Sequence, residues 1–216
     1  NLKAGGEVFH ETVTDIYLDG YEEDILHVLQ NGAKLDVILF QPGESIGGLW
    51  TYGTFANDTW RVNSKLTLNL GVRIDRYRAF TPAQVHAASR FNPAELTFPA
   101  VEKVVGWSLP APRIGLTYDL LGDGKTVLKA NYGTYWWNPG ADFVFNTSAN
   151  APAWWRRYRW TDTNNNNRWE PGEEGAVPTQ QRGGAATESI DPTLDNTKTN
   201  EVATFLEREV MPNFGV

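Results

Sequence analysis

Leu66-Thr67-Leu68-Asn69-Leu70-Gly71-Val72-Arg73-Ile74-Asp75 is the stretch whose reading decides the fold. Every second residue from Leu66 to Ile74 is apolar, and the residues between them are polar or glycine. Successive side chains of a β-strand point to opposite faces, so this period of two describes a strand with one apolar and one polar face. Ile114, Leu116, Tyr118 and Leu120 alternate likewise with Arg113, Gly115, Thr117 and Asp119, and Leu128, Ala130 and Tyr132 with Lys129, Asn131 and Gly133. Val202, Thr204 and Leu206 continue the pattern more weakly. Upstream, Trp50 to Val62 reads as a strand in which Trp60 and Val62 suit the apolar face and Asp58 does not, a conflict that a bulge would relieve. Leu2 to Ile16 is a further strand, with Leu2, Ala4, Gly6 and Val8 on one face.

The connections carry as much information as the strands. Asn63 to Lys65, Leu121 to Lys125 and Met211 to Asn213 read as tight turns, whereas 17–49, 79–110 and 136–200 read as long loops. Short and long alternate throughout. Compact soluble domains rarely carry structureless loops beyond about 12–15 residues, but an outer-membrane barrel has short periplasmic turns and long extracellular loops. The expected fold is therefore all-β: an antiparallel meander from a transmembrane outer-membrane β-barrel, with strands over about 2–16, 50–62, 66–78, 113–120, 127–135 and 201–210. Leu66, Leu68, Leu70, Ile114, Leu116 and Leu128 are expected to face lipid. Aromatic residues near both strand ends, Trp60 and Tyr118 at one and Tyr77, Phe80, Tyr135, Trp136 and Trp137 at the other, fit two interfacial girdles. The first long loop has its own hairpin signal, because a two-residue Asn31-Gly32 turn places Leu26 and Val28 opposite Val37 and Leu35. A helix over Glu22 to Gln30 is the competing reading.

Composition agrees with a barrel without requiring one. The 216 residues have a mean hydropathy of -0.43, and no apolar run approaches the roughly 20 residues of a spanning helix. A net charge of -7 argues against a nucleic-acid partner. The absence of cysteine excludes disulfides and thiolate metal sites. The first residues, Asn1-Leu2-Lys3-Ala4-Gly5-Gly6, lack the features of a signal peptide and read like the inside of a strand, as if the chain were cut there.

Several stretches resemble TonB-dependent receptors, particularly the Oar-like branch whose members carry a carboxypeptidase-regulatory-like domain. Phe55-Ala56-Asn57-Asp58-Thr59-Trp60-Arg61-Val62-Asn63 followed by Leu66 to Arg73 is similar to a recurring hairpin of that family. Pro112 to Asp119 with Gly124 to Gly133 resembles the next, and Asp191-Pro192 through Glu201, Glu207-Arg208-Glu209 and Pro212-Asn213 a third. The resemblance implies a barrel fragment of a receptor in the bacterial outer membrane. Such a receptor binds an extracellular ligand and imports it with energy from the TonB complex, through an N-terminal plug and coupling segment not visible here.

No enzyme motif emerges. Gly124-Lys125-Thr126 lacks the glycine five residues earlier that a phosphate-binding loop needs, since Asp119 stands there. His10, His27 and His86 are far apart, with no catalytic or zinc spacing around them. One pattern is sharper. In Asp162-Thr163-Asn164-Asn165-Asn166-Asn167-Arg168-Trp169-Glu170-Pro171-Gly172-Glu173, oxygen side chains recur at the spacing of a calcium loop. The ligands would be Asp162, Asn164, Asn166, the carbonyl of Arg168, Glu170 and Glu173, around one Ca²⁺. Asn167 replaces the usual glycine at the sixth position and tolerates its left-handed backbone. The other reading is a metal-free polar loop. Nearby, Trp154, Trp155, Arg157, Tyr158 and Trp160 form an aromatic and basic run, readable as a ligand site or as the loop packing on itself. The rivals to a transporter are a soluble calcium-dependent β-sandwich that recognises glycans, and a structural or adhesive outer-membrane barrel.

Overall fold

The computed structural model describes residues 1–17, 21–91, 93–150, 153–184, 188–211 and 214–215. Strands run in chain order as β1 (Leu2–Tyr17), β2 (Ile25–Gln30), β3 (Ala33–Arg61), β4 (Leu66–Thr81), β5 (Gln84–His86), β6 (Leu96–Phe98), β7 (Val101–Asp119) and β8 (Thr126–Trp136). The remainder are β9 (Ala153–Arg159), β10 (Gln180–Arg182), β11 (Lys198–Met211) and β12 (Phe214–Gly215). The described residues form an antiparallel meander, β1–β3–β4–β7–β8–β11–β12. No helix among them is long and apolar enough to cross a membrane.

The register explains the alternation. Leu70 pairs with Asp58 on one side and Ile114 on the other, and Ile114 in turn with Tyr132. Even-numbered residues of these strands therefore share one face. Leu70, Val72, Ile74 and Ile114 lie exposed on it, as do Val202 and Leu206. A wide, exposed apolar face of this kind is what a bilayer covers and water does not tolerate. The odd-numbered face is polar below, with Asn57, Asn69, Arg113, Asn131 and Glu201 around a depression of about 320 Å³. Above, it turns apolar: Leu49, Tyr77, Ala79, Val105, Trp107 and Leu109 are buried beneath a 3-10 segment, Ala141–Thr147. From Leu66 to Arg76 is ten steps of about 3.3 Å, roughly 25 Å of height at a tilt near 40°, the thickness of an outer-membrane apolar band.

Four expectations need correction, the last of them in the first hairpin. The pairing of β3 with β4 runs from Gly48↔Phe80 to Arg61↔Thr67 without a shift, so no bulge relieves Asp58, which sits on the apolar face beside Leu70. β3 is 29 residues long and starts far before residue 50, so 17–49 is no loop: it holds β2 and the upper half of β3. Gly48 belongs inside this strand because the Phe80 ring fills the space of its missing Cβ, with ring atoms 2.3–2.7 Å from that position. Likewise β7 begins at Val101 and not at residue 113. Pro110 and Pro112 are tolerated because β8 pairs only with Arg113 to Asp119, leaving the upper part of β7 as an edge that needs no N–H on that side.

The Asn31-Gly32 hairpin forms in place of the helix, with both residues at positive φ (52° and 80°) as a type I′ turn requires. Its register differs from the expected one. Gln30↔Ala33 and Leu29↔Lys34 follow the turn, but a bulge at Leu35 shifts the rest by one, so Leu26 opposes Ile38 and Val28 opposes Asp36. The turn expected at Met211 to Asn213 falls partly on Pro212 and Asn213, outside the described residues.

Candidate functional site

At about 3.3 Å per residue β3 is roughly 95 Å long, far more than the ~9–11 residues that a tilted strand needs to cross a bilayer. Its first ten residues stand clear of the apolar band and pair with β2 on one side and β9 on the other, while β10 adds to β9. The aromatic and basic run is thus a strand, and alternation divides it between two faces.

On one face Asp36 is buried against Arg157, whose Nη2 and Nε stand 2.6 and 2.7 Å from Oδ2. Arg159 Nη1 lies 3.2 Å from Oδ1 as an ion pair without hydrogen-bond geometry. The opposite face carries Val37, Leu39 and Gln41 of β3 and Trp154, Arg156 and Tyr158 of β9. Ile25, Val37, Leu39, Trp160 and Trp169 form its core. Trp154 is buried and stacked on His86 at 4.3 Å. Burial holds His86 below the usual histidine range, against a weaker opposing effect of Asn150.

A groove of about 320 Å³ opens on this face between Tyr158, Arg156, Phe91, Trp169 and Glu174. A second depression of about 280 Å³, beside Trp154, Trp155 and Gln181, adjoins it and shares Gln41 and Arg156. Gln41 is 1 % exposed; its Nε2 donates to the Phe91 carbonyl at 3.1 Å, and its Oε1 has no hydrogen-bond partner among the described residues. Arg156 makes no ion pair among those residues, whereas Arg90, at the rim, is paired with Glu23 at 2.9 Å. An aromatic cleft with a spare guanidinium and an unused buried acceptor can hold an anionic ligand that has a flat face and a hydroxyl.

Of the five residues proposed from sequence, Tyr158 and Trp154 line these depressions and Trp155 their rim. Arg157 is committed to Asp36, and Trp160 is buried with its Nε1 donating to Glu173 at 3.2 Å. Arg156 lay within the run and Gln41, Phe91 and Trp169 outside it. Counting every second residue, 154, 156 and 158, would have selected Arg156 over Arg157.

The asparagine-rich loop closes the end of the groove. Asp162 accepts the amides of Asn166 and Asn167 at 3.2 and 2.8 Å and contacts the Lys34 ammonium. Burial raises its pKa, but Lys34 and the two amides outweigh that and hold it below the usual range. Asn167 adopts a φ of 61°, the left-handed backbone of the sixth loop position. Asn164 and Asn166 donate from their amide groups to Glu170 at 2.8 and 3.2 Å. Glu173 accepts from the Thr163 amide (2.7 Å) and hydroxyl (2.8 Å), from Trp160 and from the Glu170 amide (3.1 Å). The Thr163 amide contributes most to depressing its pKa. Among the described residues no three His, Cys, Asp or Glu side chains converge as a metal site would need. The carboxylates Asp162, Glu170 and Glu173 are turned instead onto the loop's own donors and Lys34.

An antiparallel meander with a lipid-facing apolar surface, a polar inner wall and an elaborate projecting sheet is the architecture of an outer-membrane β-barrel. The chain belongs to the outer membrane beta barrel domain family, whose model matches residues 40–216. It resides in the outer membrane, and the upper sheet and groove project from the end opposite the short turns, the end at which outer-membrane barrels carry their long extracellular loops. Among solved structures, the closed form of the ferric-catecholate import receptor Fiu from K12 E. coli is similar at 11% identity and a TM-score of 0.34. That alignment covers 98% of this chain and 36% of the receptor, so the chain spans about a third of its length. No curated protein matches the chain.

Proposed function

We propose that this chain is part of the barrel of a TonB-dependent receptor, of the Oar-like branch that its hairpin stretches resemble. In this reading the groove at Gln41, Arg156 and Tyr158 captures an anionic, ring-bearing ligand outside the cell, and TonB-coupled energy drives it through the lumen. The observation that carries the reading is the groove itself: Arg156 and the buried Gln41 acceptor meet beside three aromatic rings, outside the bilayer. The protein's role in this scheme is binding and passage, not chemistry on the ligand.

The test uses the full-length protein purified from outer membranes, screened by calorimetry against acidic saccharides and aryl carboxylates and, separately, against the periplasmic domain of TonB. Arg156→Ala and Tyr158→Ala should each weaken the ligand found by about tenfold or more, the scale of an Arg or Tyr anchor. Unchanged affinity in both would remove the groove from the mechanism. A ligand bound without any TonB interaction would favour the adhesive barrel.

The loop Asp162 to Glu173 is proposed as a weak calcium site, a reading supported by the left-handed Asn167 and the amide contacts of Asp162. An ion there would displace Lys34 from Asp162, rotate the Asn164 and Asn166 amides to present oxygen, and take Glu173 from Thr163. Each rearrangement costs affinity, so dissociation constants of about 10⁻⁴–10⁻³ M are expected. Calcium titration followed by Trp169 fluorescence should saturate in that range, tighten in Lys34→Met and vanish in Asp162→Ala. Lack of saturation at several times that concentration leaves a polar loop braced by Glu173.

A further inference from the structure

The apolar face ends abruptly in cations. On β4 the outward positions read Leu66, Leu68, Leu70, Val72, Ile74, Arg76, Arg78 and Phe80, so two arginines stand on the lipid-facing surface at the extracellular boundary of the band. Arg76 lies between Tyr52 of β3 and Ser108 of β7, and Arg78 between Trp50 and Gly106. The Lys103 side chain reaches the same spot, its Cε 3.2 Å from where a Cβ of Gly106 would be. His10 stacks on Trp50 at 4.1 Å, and Tyr52 and Phe80 complete an aromatic row.

None of these three cations has an ion-pair partner among the described residues, and Arg78 Nε is buried without a hydrogen bond. Inward-facing cations differ: Arg73, three residues before Arg76 on β4, is held by Glu7 and Asp75, and Lys129, level with Thr67 near the opposite boundary, by Glu207 at 2.7 Å. A guanidinium on a lipid-facing surface needs an anion or water, and its planar fork matches the oxygens of a phosphate. Tyr52 and Trp50, the β3 partners of Arg76 and Arg78, provide an interfacial aromatic wall on one flank.

We propose that Arg76, Arg78 and Lys103 form a binding site for the phosphate of an outer-leaflet glycolipid, lipid A, on the outer wall of the barrel. Position selects this source: the cations lie at the level of the outer headgroups, where phosphates on a sugar are the anions in reach and the aromatic row can contact the sugar ring. The alternative is that both arginines merely extend to water.

The full-length protein in phosphatidylcholine nanodiscs, titrated with lipid A and read by native mass spectrometry, tests the site. Saturable binding is expected, weakened about 10- to 30-fold in the double variant Arg76→Gln/Arg78→Gln, from the usual strength of a basic residue at a lipid surface. Lys103→Gln should give a smaller loss. Arg208→Gln, an outward arginine at the opposite boundary, should bind like the parent. Dephosphorylated lipid A should bind as weakly to the parent as lipid A does to the double variant. Should the double variant fail to assemble, judged by heat-modifiable gel mobility, the single Arg76→Gln variant supplies the reading. Equal binding by the arginine variants, an equal loss in Arg208→Gln, or equally tight phosphatidylglycerol would overturn the proposal.

Discussion

Arg157→Ala should unfold the extracellular sheet locally while leaving the membrane part of the barrel assembled. Asp36 is 3 % exposed, and the substitution removes the guanidinium that gives it both of its short contacts. Removing one partner of a buried pair costs about 3–5 kcal/mol, because the other charge is left uncompensated. Arg159 remains 3.2 Å away, which places this case at the low end of that range. The readout is limited proteolysis and tryptophan fluorescence in urea on the full-length protein in detergent. Asp36→Asn in the Arg157→Ala background should recover much of the loss, since the uncompensated charge is then gone. If Arg157→Ala costs less than Arg159→Ala, the pair does not hold the sheet. The same experiment separates structure from binding in the run Trp154 to Trp160: Arg157 should behave as a stability residue and Arg156 as a ligand residue.

The second large effect is expected in the bilayer. Val72→Arg should impair membrane insertion by about 2–4 kcal/mol, the cost of a cation near the midplane on the lipid side. Asn69→Arg should be close to neutral, because Asn69 lies on the inner wall and contacts the Thr59 hydroxyl at 2.9 Å. Leu70→Arg should fall between them. Leu70 is as outward as Val72, but Asp58 is its direct partner in register and would pair with the new guanidinium. Folding assays in lipid vesicles of the full-length protein can rank the three. A cost at position 69 equal to that at position 72 would mean that the assignment of faces is wrong. The ordering of positions 70 and 72 separately tests whether Asp58 points outward. That placement is unexpected for an acid, and it sits next to Trp60 near the turn at Asn63, where an interfacial girdle belongs.

The parts legible in the sequence were those governed by local rules. Leu66 to Asp75 displays its two faces because one meets lipid and the other a polar interior. The Asn31-Gly32 turn was legible because only a few residue types accept two successive positive φ values. The upper half of β3 was not: Val37, Leu39, Phe40 and Gln41 are buried on both faces, so the strand shows no alternation to read. The upper half of β7 was hidden by Pro110 and Pro112, which signal against a strand unless the neighbouring edge is known. In the candidate site, the composition of the run Trp154 to Trp160 was visible, but its division into a groove face and an ion-pair face was not.

By itself, then, the sequence determined the class of fold, the lipid-facing residues of β4, β7 and β8, and the turns at Asn31-Gly32, Asn63 to Lys65 and Leu121 to Lys125, since each depends on contacts between a few neighbouring residues or between a face and its solvent. The tertiary structure decided the rest. That β3 continues beyond the bilayer follows from its pairing with β2 and β9, the latter more than a hundred residues away in the chain. That Arg157 is structural and Arg156 available follows from Asp36 lying on one side of that sheet only. That Lys34 rests on Asp162 follows from a hairpin meeting a loop 128 residues later. Such pairings are chosen by the free energy of the whole assembly, and no local period records them.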